Sequence, residues 1–301
     1  MMKHRSNASR IDNSITAIIK VAGYSSILFV TLIFLFLMRE GLPTLKETSL
    51  KVLFSSIWYP IEGYFGILPL LAGSLMVTMT AVLVALPFGV GTAIYISEVA
   101  PKAVKEILKP LVEILAGLPS VVLGFLGIII LVPAIRRALG IPTGLSAFTG
   151  AVLLGFIAIP TIVSIAEDAL NAVPQSYRQA AIAMGATRWQ TIWGITVPAA
   201  RTGILTAVML GIGRTLGETM AVMMVTGNAP VLPDSLNAIF LPIRTMTATI
   251  ASEMGEVATG SPHYHVLFFI GIVLFIFSLV INVAASWVSF RRRQRSERVL
   301  S

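Results

Sequence analysis

The sequence has no cysteine among its 301 residues, and charged residues make up only 12% of it. The first absence excludes a disulfide framework, thiol chemistry and a cysteine metal site. The second leaves the chain with about half the charge of soluble domains, where roughly 25% is usual. Catalytic signatures are missing as well. There is no Gly-x-x-x-x-Gly-Lys-Ser/Thr loop to cradle nucleotide phosphates, no Gly-x-Ser-x-Gly elbow and no His-Glu-x-x-His helix. Their absence argues against an ATPase or an intramembrane hydrolase. His263 and His265 fall in a loop without the other ligands a metal would require. No internal repeat or low-complexity segment is evident, so the inverted repeats of many secondary transporters have no support here.

What is present is apolar. Hydrophobic residues make up 56% of the chain and the mean hydropathy is +0.88, the profile of an all-α integral membrane protein whose length suits one multi-helix domain. Six runs, at about 17–38, 68–96, 111–134, 145–166, 202–226 and 266–288, reach the roughly 20 residues needed to cross a bilayer as a helix. The first follows Lys3, Arg5 and Arg10. It is too long for a signal segment and meets Arg39-Glu40-Gly41 instead of a small-residue cleavage pattern, so it reads as an uncleaved span. Pro87, Gly89 and Gly91 interrupt the second run and predict a kink. Glu113 opens the third and reads as interfacial; Glu167 and Asp168 end the fourth. Six spans put both termini on one side, and that side collects 14 of the 22 Lys and Arg against six on the other. The positive-inside rule places both termini in the cytoplasm. The net charge of +8 sits in such flanks, above all at Arg291, Arg292, Arg293, Arg295 and Arg298. It is a topology signal, and nucleic acid is not expected as a partner.

Two charges interrupt the fifth run. Arg214 and Glu218 each cost about 2.5–3.5 kcal/mol at the centre of a membrane helix. On a continuous helix, four residues apart, they share a face. They either neutralise one another or form a polar station on an interior pathway. Gly211, Gly213 and Gly217 leave the neighbouring backbone open to close approach. Thr215 and Thr219 could line the same path or bond back to carbonyls of the preceding turn.

Before this run, residues 173–198 read as two short helices meeting at Gly185. Ser176 with Gln179 and Thr187 with Gln190 have capping-box spacing. Gly185 suits a left-handed helix end, and Pro198 suits a helix start. Ala180 and Ala181 keep the elbow low in profile, fit for a partner's groove with Tyr177, Trp189 and Trp193 as anchors. An interfacial helix with its tryptophans at the headgroups is the alternative.

Gln179-Ala180-Ala181, Gly185, Ile195 and Pro198 resemble the coupling loop of permease subunits in bacterial ABC importers. The family writes this loop Glu-Ala-Ala, then Gly, then Ile and Pro. Gln179 stands where the family has Glu, which removes the charge a salt bridge would use. Further stretches at 213–222 (Gly-Arg-Thr-Leu-Gly-Glu-Thr-Met-Ala-Val), 65–75, 93–101 and 113–122 resemble the C-type permeases of Pst phosphate importers from about Phe65 onward. A-type sisters share the Arg-x-x-Gly-Glu core; Met220-Ala-Val and Thr226-Gly-Asn228 favour the C type.

The resemblance implies a type I, MetI-like permease fold with one extra N-terminal span. The chain would divide into 1–64 (terminus, first span and periplasmic linker), 65–290 (permease domain, coupling loop about 169–198) and 291–301 (basic cytoplasmic tail). It implies residence in a bacterial inner membrane, with a sister A-type chain, a dimer of cytoplasmic ATPase subunits and a phosphate-binding protein as partners. ATP and Mg would belong to the ATPase, leaving this chain no cofactor, metal or catalytic residue of its own. Arg214, Glu218, Thr215 and Thr219 would serve the substrate pathway, and Gln179, Ala180, Ala181 and Gly185 the ATPase coupling. Leu236 to Glu256 would lie outside the cytoplasm, facing the binding protein or capping the pore. Other readings are a permease for sulfate or molybdate, and an ion-coupled carrier working through Arg214 and Glu218 alone.

Overall fold

A computed structural model describes residues 2–297, with side-chain surroundings over residues 15–283 apart from residue 236. The basic clusters at Lys3 to Arg10 and at Arg291 to Arg298 lie outside the described side chains. Helix α1 (Met2–Gly41) carries the first span. The short helices α2 (Thr44–Glu47) and α3 (Leu50–Leu53) follow it, then a hairpin of β1 (Trp58–Tyr59) and β2 (Tyr64–Phe65). The strands pair antiparallel, Trp58 opposite Phe65, and turn at Gly63 with a positive φ of 79°. The all-helical expectation omitted this small ribbon.

The second span is α4 (Leu68–Ile94), which runs on through a π turn at Tyr95–Val99. Next come α5 (Lys102–Gly117), then α6 (Ser120–Leu126), a π turn at Gly127–Leu131 and α7 (Val132–Leu139), which together form the third span. The fourth span is α8 (Ala147–Asn171). The elbow helix α9 (Gln175–Ala183) leads into α10 (Arg188–Thr191), a π turn at Ile192–Thr196 and α11 (Val197–Gly217), the fifth span. Helices α12 (Met220–Val225) and α13 (Met246–Glu253) precede α14 (Pro262–Glu297), which carries the sixth. Among the described residues, six helices are long and apolar enough to cross a membrane.

Two boundaries differ from the sequence reading. The third span is Ser120–Leu139, not 111–134. Pro119 has no N–H to give and pushes the residue before it out of the helical region; Leu118 is extended, with ψ 133°. The residues before the break form α5, an amphipathic helix with Lys102, Lys105 and Lys109 along one side and exposed Ile107, Leu111 and Ile114 along another. Glu113 is exposed on α5, outside the span. The fifth span also breaks where a continuous helix was expected, at Glu218.

The bundle is built around α8. Over an apolar stretch of 18 residues in each, 61% of the fourth span is buried, against 44% of the second and 0% of the first. Small residues make this possible by letting backbones approach. Ile162 of α8 fits between two neighbours at positions where only glycine leaves room: a Cβ on Gly89 of α4 would stand 2.8 Å from Ile162 Cγ2, and one on Gly211 of α11 would stand 2.6 Å from its Cγ1. The inner core groups Ala85, Ala158, Ile162, Ala166, Leu170 and Ala207. The first span instead lies outside the bundle, leaning on α14 through Phe34–Phe275 and Phe36–Phe268, with ring centroids 5.0 and 5.5 Å apart.

Candidate functional site

Arg214 stands in the last turn of α11, where the helix's negative end favours a cation. Its Nη1 donates to Thr161 Oγ1 of α8 at 2.9 Å and its Nη2 to the Ala116 carbonyl of α5 at 3.3 Å. Both acceptors are neutral. Among the described residues no carboxylate pairs with this guanidinium.

Glu218 is engaged elsewhere. It leaves the helix with φ −71° and ψ 128°, and its Oε1 accepts from the backbone N–H of Thr219 at 3.1 Å and of Ala221 at 3.3 Å. A carboxylate at the start of α12 satisfies orphan donors and meets the positive end of that helix. The freed Glu218 carbonyl accepts from Thr247 Oγ1 at 3.2 Å. The shared face inferred from a spacing of four therefore does not form, because Gly217 and the competing cap end α11 between the two residues. Thr215 is buried and bonds back to the Ile212 carbonyl at 2.8 Å, and Thr219 bonds to the Gly217 carbonyl at 3.2 Å. Both threonines serve local backbone here. At the other end of α12, Gly227 and Asn228 take positive φ of 81° and 51°, and Asn228 Nδ2 donates to the Met223 carbonyl at 2.9 Å, which gives the Thr-Gly-Asn stretch its structural role.

The elbow takes the expected bend. Gly185 has φ 85°, and Thr187 with Gln190 forms a complete capping box. Ser176 and Gln179 do not: Pro174 stands just before α9, its ring fixes the entry, and no side chain caps the helix. Pro198 stands in the first turn of α11, inside a helix that continues from α10. Gln179, Ala180 and Gly185 are exposed and Ala181 is half-buried. Beside them Tyr177, Ile182, Met184, Trp189 and Trp193 present open apolar surface, the two tryptophans stacked at 6.5 Å.

Several ion pairs went unread in the sequence. Glu167, expected at a span end, is 2% exposed and held by Lys105 and Lys109, each at 3.5 Å, and by Asn171 Nδ2 at 3.1 Å. Its burial follows from the amphipathic α5 packing on α8, which a reading of α5 as membrane span obscured. Glu98 pairs with Arg178 at 2.6 Å; no local spacing links residues 80 apart. On the opposite side of the bundle from the elbow, Glu253 joins Arg244 at 2.5 Å, His263 at 2.8 Å and Trp58 Nε1 at 3.2 Å, and His265 joins Glu47 at 2.9 Å. Each of these two histidines is thus committed to a carboxylate.

A bundle of six membrane-length helices, with a half-buried arginine on neutral acceptors and an exposed small-residue elbow, has the architecture expected of a membrane transport subunit. Comparison with known proteins agrees. Residues 85–294 match the family described as "Binding-protein-dependent transport system inner membrane component". The chain is 40% identical over 248 residues to the Probable ABC transporter permease protein YqgH of Bacillus subtilis strain 168, covering 82% of this chain and 79% of that protein. It is 33% identical to the Phosphate transport system permease protein PstC of Mesorhizobium japonicum, covering 82% and 80%. Its fold matches a chain of the bacterial alginate ABC transporter solved with an alginate pentasaccharide-bound periplasmic protein, with a TM-score of 0.59, 16% identity and coverage of 89% and 93%. The chain belongs to the family of inner membrane components of binding-protein-dependent transport systems. It is a multi-pass permease subunit of an ABC importer and works with an ATPase and a binding protein.

Proposed function

We propose that this subunit forms half of the translocation pathway of an ATP-driven importer of inorganic phosphate, and that Arg214 is the residue that meets the ion. The observation that carries the reading is the guanidinium held by two neutral acceptors with no carboxylate on it. Phosphate is anionic at neutral pH and presents oxygens that match a planar fork, so it outcompetes a hydroxyl and a carbonyl for the same donors. Because Thr161 and Ala116 can take the donors back, the ion is not trapped. The phosphate transport named in relatives such as the Mesorhizobium PstC supports the choice of substrate. Glu218 shapes the pathway by starting α12; Thr215 and Thr219 hold its backbone. Both termini lie in the cytoplasm, in keeping with the distribution of Lys and Arg. The other half of the pathway is a sister A-type permease, and the elbow residues Gln179, Ala180, Ala181 and Gly185 dock on one of two ATPase subunits, which hold ATP and Mg. This chain needs no cofactor.

The test is uptake of labelled phosphate and sulfate into vesicles holding the complete complex with its binding protein. Uptake that needs ATP and prefers phosphate is expected, with none from vesicles holding this chain alone. Sulfate taken up equally well would overturn the substrate assignment; uptake by the lone chain would make it a carrier.

A further inference from the structure

Helix α9, which carries the elbow's small pair, buries none of its residues fully. It therefore lacks the apolar root by which helices usually follow one another's movements. Its attachment is polar and centred on Arg178. Nη2 of this residue donates to Glu98 Oε1 at 2.6 Å and to the Leu170 carbonyl at 2.9 Å, Nη1 to the Val173 carbonyl at 2.6 Å, and Nε to Glu98 Oε2 at 3.4 Å. The two side chains are only 12% and 10% exposed. Leu170 and Val173 mark the end of the fourth span, whose last carbonyls need donors and welcome a cation. Glu98 lies in the π turn that ends the second. Two further bonds close the same knot: Arg188, past the bend at Gly185, donates to the Glu98 carbonyl, and Ser97 Oγ to Asn171 Oδ1 at 3.0 Å.

One guanidinium thus ties the elbow to the ends of two core spans. We infer that Arg178 and Glu98 form the positioning pair through which displacement of the elbow reaches the second and fourth spans. Neither residue touches the transported ion or ATP. From Leu170 to Thr161, which holds Arg214, is nine residues of the same helix, about 14 Å at 1.5 Å each. A pull on the end of α8 is therefore delivered to the acceptor that holds the candidate pathway arginine. The inference rests on the elbow being the docking surface for the ATPase.

The experiment compares Glu98→Gln and Arg178→Lys in the complete complex, reconstituted in vesicles with its binding protein. ATP hydrolysis and phosphate uptake are measured on the same preparation. Lysine keeps the charge but cannot span the carboxylate and two carbonyls together. Each variant is expected to retain the ATPase subunits and hydrolysis within about twofold of the parent, while uptake per ATP hydrolysed falls about tenfold, the scale of substitutions along a coupling path. Uptake and hydrolysis falling in proportion, or both unchanged, would overturn the proposal. Ala181→Asp, measured alongside, isolates the reading beneath it. If that variant still retains and stimulates the ATPase at parental levels, the elbow is not the docking surface, whatever the two clamp variants do.

Discussion

Arg214 donates to Thr161 at 2.9 Å across two helices, while Glu218, four residues further along, turns away to cap α12. The two charges that mark the fifth span therefore do different work, and substitutions should separate them. Glu218→Gln keeps an acceptor at the cap and Glu218→Ala removes it. The alanine variant should lose about 1 kcal/mol of stability and the glutamine variant less. Thermal midpoints of the purified complex check this; an alanine variant as stable as the parent would mean that the cap contributes nothing.

Thr161→Val removes the hydroxyl that orients Arg214 and leaves a side chain of similar shape. A bond to a charged donor contributes about 1.5–3 kcal/mol, and phosphate no longer has to displace it, so half-saturating phosphate should fall by roughly tenfold while maximal uptake slows because the hydroxyl no longer takes the donor back, with subunit abundance unchanged. Transport at the parental level would place the orienting contact elsewhere.

Close packing around Ile162 makes the glycines of α11 unequal. A methyl group on Gly211 would press on Ile162, whereas one on Gly213 would meet nothing within 4 Å. Gly211→Ala should cost about 1–3 kcal/mol through overpacking. Gly213→Ala should be neutral or gain up to about 1 kcal/mol from helix propensity. Thermal midpoints of the two variants, measured together, test the contrast.

The absence of cysteine makes this chain a natural background for accessibility labelling. Ile61, beside the outer hairpin, is 88% exposed and Met184, in the elbow, is 89% exposed. With cytoplasmic termini, Ile61→Cys should react with an impermeant maleimide on intact cells once any outer membrane is opened, and Met184→Cys only after the inner membrane is opened. The opposite pattern would invert the topology.

Apolar run length was enough to find all six spans, because crossing a bilayer demands about 20 residues whatever the tertiary context. It misplaced the third because Pro119 breaks a stretch whose apolar side chains continue on both sides. The left-handed Gly185 and the Thr187–Gln190 capping box were legible since both are local. The separation of Arg214 from Glu218 was not, because periodicity assumes an unbroken helix and the break depends on a cap that forms only when the chain has already turned. Glu98 with Arg178, and Glu167 with its two lysines, are products of packing between distant segments, and no local pattern announces them.

The most direct test of the central claim is ATP-dependent phosphate uptake by the complete complex carrying Arg214→Gln. Removing the charge that pairs with a bound anion costs about 2–5 kcal/mol, so uptake should fall at least about thirtyfold at limiting phosphate, with assembly and basal ATP hydrolysis retained. Parental uptake by a fully assembled Arg214→Gln complex would contradict the account and reduce Arg214 to a structural tie between α5, α8 and α11.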